Sequence, residues 1–221
     1  MITAILLSYY QERENNIYKM VDVLKKGTLP PDRIVLFNNN SEHKFKIDGI
    51  EIINSNTNFG AGIRFYLALG ITSDYFFFPD DDMCPQTGTI ENLMKYAEED
   101  TCLGFCGKKL TKGVPYSKTP AVWSGEKPID VNLLVGAGGI FCSYKALVKM
   151  VTLENKLRKI KEYDKGRETD LTLTMANKSL VIPVDGTNGI TKFAVTGEGL
   201  VHEPIHADKR DEITKKILKL I

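Results

Sequence analysis

Four short strand-like runs are spaced through the first eighty residues, and they limit the fold more than any other feature of the chain. "TAILLS" (Thr3 to Ser8), "RIVLF" (Arg33 to Phe37), "IEIIN" (Ile50 to Asn54) and "DYFFF" (Asp74 to Phe78) lack the alternation of a half-solvated strand. Near-continuous apolar runs of this length belong to strands covered on both faces. Between the first two, "NNIYKMVDVLKKG" places Ile17, Met20, Val21 and Leu24 at helical spacing and stops at Gly27. Between the last two, "NFGAGIRFYLALGI" places Ile63, Leu67 and Ile71 four residues apart, which predicts a helix from near Gly60. Strand, helix, strand, strand, helix, strand is the order of an α/β sheet with right-handed crossovers.

The second half continues in the same manner. "TGTIENLMKYAEED" reads as a helix and "CLGFCGKKL" as a strand. Thr111 to Pro128, rich in Pro, Gly, Lys and Ser, reads as a functional loop or irregular hairpin around the only tryptophan, Trp123. "GAGGIFCS" returns to a strand, Tyr144 to Lys161 is a basic amphipathic helix, and "ETDLTLTMANK" is a further short helix. The tail "DEITKKILKLI" is amphipathic, with Ile213, Ile217 and Leu220 placed to dock on the body.

With 43% hydrophobic residues in 221, the chain has enough apolar material for a substantial core. Its 29 basic and 28 acidic residues leave a net charge of +1, so no long-range field points to nucleic acid or an anionic membrane. Cys84, Cys102, Cys106 and Cys142 lack a C-x-x-C metal spacing and are expected to be reduced, buried thiols. "MITAILLSYY" has no basic leader and no run is long enough to span a bilayer, so a cytoplasmic protein is expected.

The chemistry concentrates where the fourth run ends. "FFFPDDDM" delivers Asp80, Asp81 and Asp82 to one turn. Adjacent like charges repel by about 4 kcal/mol at the effective dielectric of a protein surface, so the cluster calls for a cation. Ligands bind at the carboxyl ends of strands in open α/β sheets, and Mg²⁺ is held there by one or two carboxylates together with substrate phosphates. A divalent-metal diphosphate site is the reading that follows; a solvated acidic turn capping the next helix is the structural alternative.

The ordered set "ILLSYYQE", "IVLFNNNS", "NFGAGIRFYLALG" and "DYFFFPDDDM", followed by "GAGGIFCSYKAL" and "GRETDLTL", resembles glycosyltransferases of the GT-A fold, especially those similar to family 2. The resemblance implies an α/β fold with a Rossmann-like, mainly parallel central sheet flanked by helices. It implies one domain over residues 1–221: a nucleotide-sugar-binding half at 1–83, an acceptor-side half at 84–205 and a C-terminal helix at 206–221. The implied activity is metal-dependent transfer of a sugar from a nucleoside-diphosphate donor, UDP on family grounds, to a hydroxyl acceptor with inversion. The acceptor is left open among glycan, protein and modified nucleic acid.

Roles carry over residue by residue. Ser8 and Tyr9 end the first strand at the nucleotide, with Tyr9 against the base and Glu12 facing base or ribose. Asn38 and Asn39 occupy a stretch where the family often has an aspartate; its neutrality here, Asn40 included, leaves the base open. Asn58 and Gly60 open the segment that carries Arg64 toward the nucleotide. Asp82 is the expected direct ligand of Mn²⁺ or Mg²⁺, Asp80 its partner toward ribose or metal-bound water, and Asp81 joins the donor-contacting group. His202 resembles the late histidine that closes the metal shell, with His206 a weaker candidate. "RETD" departs from the family's Glu-Asp pattern, and both Glu168 and Asp170 stand as candidates for the base. Gly136 to Gly139 is the expected acceptor floor, and Trp123 suits stacking on a sugar or anchoring its own loop.

Two rival readings remain at this level. A metal-dependent phosphatase would carry its Asp-x-Asp after the first strand, and a sugar nucleotidyltransferase would have a glycine-rich loop where "SYYQERENN" has no glycine. A non-catalytic sugar-nucleotide or glycan-binding module on the same scaffold would bind donor without turning it over.

Overall fold

The computed structural model describes residues 1–136, 139–159, 168–193 and 204–221. Its centre is strand β1 (Ile2–Ser8), flanked on one side by β2 (Arg33–Asn38) and then β3 (Glu51–Asn54), and on the other by β4 (Tyr75–Phe78). All three pairings are parallel, with Ser8 opposite Asn38 and Ala4 opposite Phe77. The sheet of eight strands continues beyond β4 with β11 (Ile140–Ser143), β6 (Thr101–Gly104), β12 (Lys178–Val181) and β9 (Ile129–Val131). Strand β11 is antiparallel to both neighbours and β9 is antiparallel to β12, so six of the eight strands run one way.

The unbroken apolar runs are explained by cover on both faces. Along β1, Ala4 and Leu6 pack with Ile17, Met20 and Leu24 of α1 (Glu14–Lys25). Ile5 points to the other face, where Phe65 and Ala68 of α2 (Ile63–Leu69) meet Leu147 and Met150 of α4 (Tyr144–Leu157). Strand β4 divides likewise, Phe77 to the first face and Phe76 and Phe78 to the second. The Phe78 ring meets Phe65 at 4.7 Å between centroids, which fixes the strand end that leads into the acidic turn.

Several boundaries differ from the sequence expectations. "IEIIN" forms an edge strand whose residues are mostly exposed rather than sandwiched. Helix α2 starts at Ile63, and its buried residues are Arg64, Phe65 and Ala68 while Ile63 and Leu67 are half-exposed. The helix after the acidic turn is confined to α3 (Thr89–Met94). "CLGFCGKKL" is two strands: Phe105 breaks it, so β6 stays in the main sheet while β7 (Cys106–Lys108) enters a second, three-stranded sheet with β8 (Ala121–Trp123) and β10 (Leu133–Leu134). The Thr111 to Pro128 stretch is thus the irregular hairpin between β7 and β8 and beyond. All four cysteines are free thiols; Cys102, Cys106 and Cys142 are buried, whereas Cys84 is half-exposed. Among the described residues, no helix is long and apolar enough to cross a membrane.

The C-terminal helix α6 (Pro204–Ile217) docks as its pattern predicted. Ile213 and Ile217 join Leu153, Leu157, Leu171 and Met175 in one buried cluster, with Leu220 packed beside it. Ile217 is fully buried, so Ile217→Ala should cost about 2 kcal/mol or more. That corresponds to a fall of roughly 4–8 °C in the thermal unfolding midpoint. Leu218→Ala, at a half-exposed neighbour, should leave the midpoint nearly unchanged.

Candidate active site

The chain leaves β1 toward β2 and β3 on one side, then lays β4 down on the other. The ends of β1 and β4 therefore flank a reversal of strand order, the place where open α/β sheets hold ligands. Ser8 and Tyr9 stand at one rim, Asp80 to Asp82 at the other.

The acidic turn is held from several directions. The Met83 N–H donates to the Asp80 carbonyl at 3.0 Å, and the Phe193 N–H donates to the Asp82 carbonyl at 2.9 Å. The second bond extends the antiparallel pair of β5 (Met83–Pro85) and β13 (Ile190–Lys192). Arg64, 5% exposed, directs Nη1 to the Pro79 carbonyl at 3.0 Å and Nη2 to Asp80 Oδ1 at 2.6 Å. Arg13, in the 3₁₀ turn Gln11–Arg13, places Nη1 2.5 Å from Asp81 Oδ1, and its guanidinium lies over the Tyr10 ring. Asn16 adds a bond from Nδ2 to the Asp81 carbonyl at 3.1 Å.

Each aspartate thus has a different partner set. Asp80 is tied to Arg64 and Asp81 to Arg13, both by charge-assisted bonds. Burial pushes the Asp81 carboxyl up to about 6, opposed by Arg13. For Asp82, burial and the adjacent Asp80 charge both raise the carboxyl above its usual range, with Arg13 and Lys192 opposing at longer range. Among the described residues Asp82 has no ion pair. Three carboxylates matched by two arginines leave one negative charge over, which suits a cation.

Gly136 lies against this cluster, where a Cβ would sit 2.5 Å from Asp80 Oδ2. The glycine keeps that oxygen uncrowded. Among the described residues no three His, Cys, Asp or Glu side chains converge as a complete cation cage. Asp82 with Asp80 Oδ2 is instead the one-or-two-carboxylate set that fits Mg²⁺ or Mn²⁺ when phosphates and water complete the shell.

The asparagine loop is tied mainly to the segment from Asn54 to Gly60 and to the end of β1. Asn38 is fully buried, donating to the His43 carbonyl at 2.6 Å and to Asn54 Oδ1 at 2.9 Å and accepting from the Asn40 N–H. Asn39, 2% exposed, donates to Asn58 Oδ1 at 2.7 Å and to the Gly60 carbonyl, and accepts from the Phe59 N–H. Asn40 donates to the Tyr9 carbonyl at 2.8 Å. Gly60 has φ +77°, the left-handed region where glycine carries no Cβ penalty. These bonds fix the crevice wall and leave Tyr9, Glu12 and Phe59 exposed along it, the Phe59 ring 56% so.

On the acceptor half, Glu168 stands at the N-terminal cap position of α5 (Thr169–Met175), without a capping bond from its side chain, and is buried. Asp170, in the first turn of α5, accepts from Arg210 of α6 at 2.5 Å. Arg210 also stacks over Tyr116, on whose other contacts Lys108 supplies Nζ 3.9 Å from the ring centroid and 2.8 Å from the Tyr116 carbonyl. His206 is half-buried on α6. His202, Ala137 and Gly138 lie outside the described residues.

Arg13 and Asn16 were missed at the sequence level, as was Phe59. Arg13 and Asn16 are three apart where α1 begins, so both reach one side. That spacing was the available signal, but their partner lies 68 residues away for Arg13.

Comparison with known proteins agrees with this geometry. Three solved structures of S. aureus TarS are similar in fold. TarS 1-349 in complex with UDP-GlcNAc aligns at TM-score 0.59 and 16% identity, over 98% of this chain and 70% of that one. TarS 1-349 alone gives 0.55 and 15%, over 87% and 60%, and TarS itself 0.56 and 16%, over 98% and 42%. The chain therefore spans between about two fifths and seven tenths of the lengths of these three structures. No curated protein matches the sequence. A family model, that of glycosyl transferase family 2, matches residues 4–153, from β1 into α4 and across the whole acidic turn. The chain belongs to glycosyl transferase family 2, and its mixed sheet has the GT-A architecture of such enzymes.

Proposed function

We infer that this nucleotide-sugar glycosyltransferase domain acts with Mg²⁺ or Mn²⁺ held by Asp82 and Asp80, transferring its sugar with inversion to a hydroxyl acceptor. The observation that carries the reading is the unequal pairing of the acidic turn: arginines engage Asp80 and Asp81 while, among the described residues, Asp82 has no ion pair. The bound ion would supply Lewis-acid neutralisation of the leaving diphosphate. Arg64 holds Asp80 in place for that task, and Arg13 with Asn16 fixes the backbone and side chain between the two ligands.

Tyr9 and Phe59 offer exposed rings for the donor's base on the crevice wall. UDP is the nucleotide to test first, since a TarS structure of this fold was solved with UDP-GlcNAc. In the transfer, the acceptor oxygen bonds to the anomeric carbon as the carbon–oxygen bond to the diphosphate breaks. The acceptor proton passes to a carboxylate. Glu168 is the first candidate for that base and Asp170, which accepts from Arg210, the second; both lie beyond the stretch matched by the family model.

Thermal unfolding with a panel of nucleoside diphosphates tests the donor reading. UDP with Mn²⁺ should raise the midpoint by several degrees, more than either alone; no response to any nucleoside diphosphate with either metal contradicts it. Gly136→Ala should lower kcat/KM for transfer roughly 10–100-fold, because its Cβ displaces Asp80 from its position. Gly70→Ala, whose Cβ would find its nearest neighbour at an ordinary 3.6 Å, should leave turnover unchanged.

A further inference from the structure

The three-stranded sheet carries a surface that the donor site does not use. Strand β8 is one of its two outer strands, and Trp123 there is 55% exposed. That exposure leaves an aromatic face able to stack on whatever meets the hairpin.

Register fixes where this ring stands relative to the acidic turn. Trp123 pairs with Cys106 across β8 and β7, and on the far side of β7 the Val135 N–H donates to the Cys106 carbonyl at 2.9 Å. Trp123, Cys106 and Val135 thus form one row across the sheet. Gly136, the next residue after Val135, touches Asp80. Two interstrand spacings, roughly 10 Å, separate the Trp123 backbone from Val135, a distance of the order of two sugar rings.

The stretch that carries the ring is mainly basic. Residues 105 to 129 hold five lysines and one acid, Glu126, in a chain whose overall net charge is +1. Lys108 is engaged with Tyr116, while Lys109, Lys112, Lys118 and Lys127 are exposed, and among the described residues none of these four has an ion-pair partner. The hairpin is also held in shape. Ser117 donates from N and Oγ to Asp211 of α6 at 2.6 Å, and Arg210 and Lys108 both lie over Tyr116.

We propose that the β7–β8 hairpin is the acceptor-docking surface, with Trp123 stacking on a sugar ring of an anionic glycan and Lys109, Lys112, Lys118 and Lys127 pairing with its carboxylate or phosphate groups. The proposal rests on the reading of the chain as a glycosyltransferase and names the acceptor class for it. The C–H face of a pyranose meets the indole face, and the lysines add attraction that salt screens.

Because Trp123 is the only tryptophan, its emission reports this surface without labelling. Titration of the whole chain with oligogalacturonate (carboxylates), phosphorylated dextran oligosaccharide (phosphates) and neutral isomaltooligosaccharide separates the sources of charge. At least one charged probe should shift or quench the emission, with apparent affinity falling roughly fivefold or more between about 20 and 200 mM salt. Replacing the four exposed lysines with glutamine should remove that salt dependence. With any accepted glycan, Trp123→Ala should raise the acceptor KM far more than it lowers kcat.

Silence toward all three probes overturns the proposal, and so does a neutral probe that matches the charged ones. A quadruple lysine variant with unchanged affinity and salt response overturns it equally. Stabilisation of the same preparation by UDP and Mn²⁺ reports the donor site separately, so donor binding beside a silent tryptophan defeats the docking proposal alone.

Discussion

Asp82→Asn should reduce sugar transfer by roughly 10³-fold, equivalent to about 4 kcal/mol of transition-state stabilisation. Asparagine keeps the shape and removes the charge, so the loss isolates the role of the carboxylate. Steady-state transfer with UDP-sugar and Mn²⁺ measures it. The same change should not weaken the fold. Burial and Asp80 raise the Asp82 carboxyl above its usual range, so the folded state holds the proton more tightly than the unfolded one. Stability contributed by that proton is present below the ordinary carboxylate pKa and is lost as pH rises through the raised value. At neutral pH ionised Asp82 therefore costs stability, and in chelator-treated protein Asp82→Asn should unfold at or above the wild-type midpoint. A lower midpoint with intact transfer would assign Asp82 to the fold instead of the chemistry.

The acceptor-side acids should separate by the kind of damage they cause. Glu168→Gln removes the proposed base and should lower kcat by roughly 10²–10⁴-fold while leaving donor binding in place. Asp170→Asn strips the partner from Arg210, a guanidinium only 6% exposed. Breaking a buried pair by removing one member costs about 3 kcal/mol or more, so this variant should show a lowered unfolding midpoint. Transfer kinetics and thermal unfolding on both variants decide the matter: a silent Glu168→Gln beside a catalytically dead but stable Asp170→Asn would exchange the two roles.

The first half of the sheet was legible because β1, β2 and β4 are covered on both faces, and a chain so placed can hardly avoid writing long apolar runs. The helix over Ile63 to Leu69 was legible in kind but not in orientation. Spacing counts Ile63, Leu67 and Ile71 as the inner face, yet the buried side chains are Phe65, Ala68 and Arg64, the last because the Pro79 carbonyl and Asp80 carboxylate receive it. No local pattern announces a buried arginine whose partner is distant in sequence. The break at Phe105 was illegible for a related reason: the residues on both sides are apolar and buried, so the run looks continuous while the chain changes sheets.

At the site, the acidic turn showed itself as three carboxylates that would repel without a counter-charge. Its differentiation did not show. Arg13 gave no sign of reaching Asp81, and only the packing of α1 beside the turn distinguishes Asp81 from Asp82. The asparagines were legible as a place and not as a role. A neutral stretch at a strand end is equally open to a bound base or to neighbouring backbone, and Asn38 and Asn39 bond to His43 and to the Asn54–Gly60 segment.

The central claim is that a divalent ion joins the acidic turn to the donor's phosphates. Calorimetric titration of UDP into chelator-treated protein, with and without added Mn²⁺, measures that joint directly in the wild type and in the Asp80→Asn, Asp82→Asn double variant. The account predicts strong binding only for the wild type with Mn²⁺. Equal UDP affinity without the ion, or Mn²⁺-dependent affinity that survives in the double variant, would contradict it.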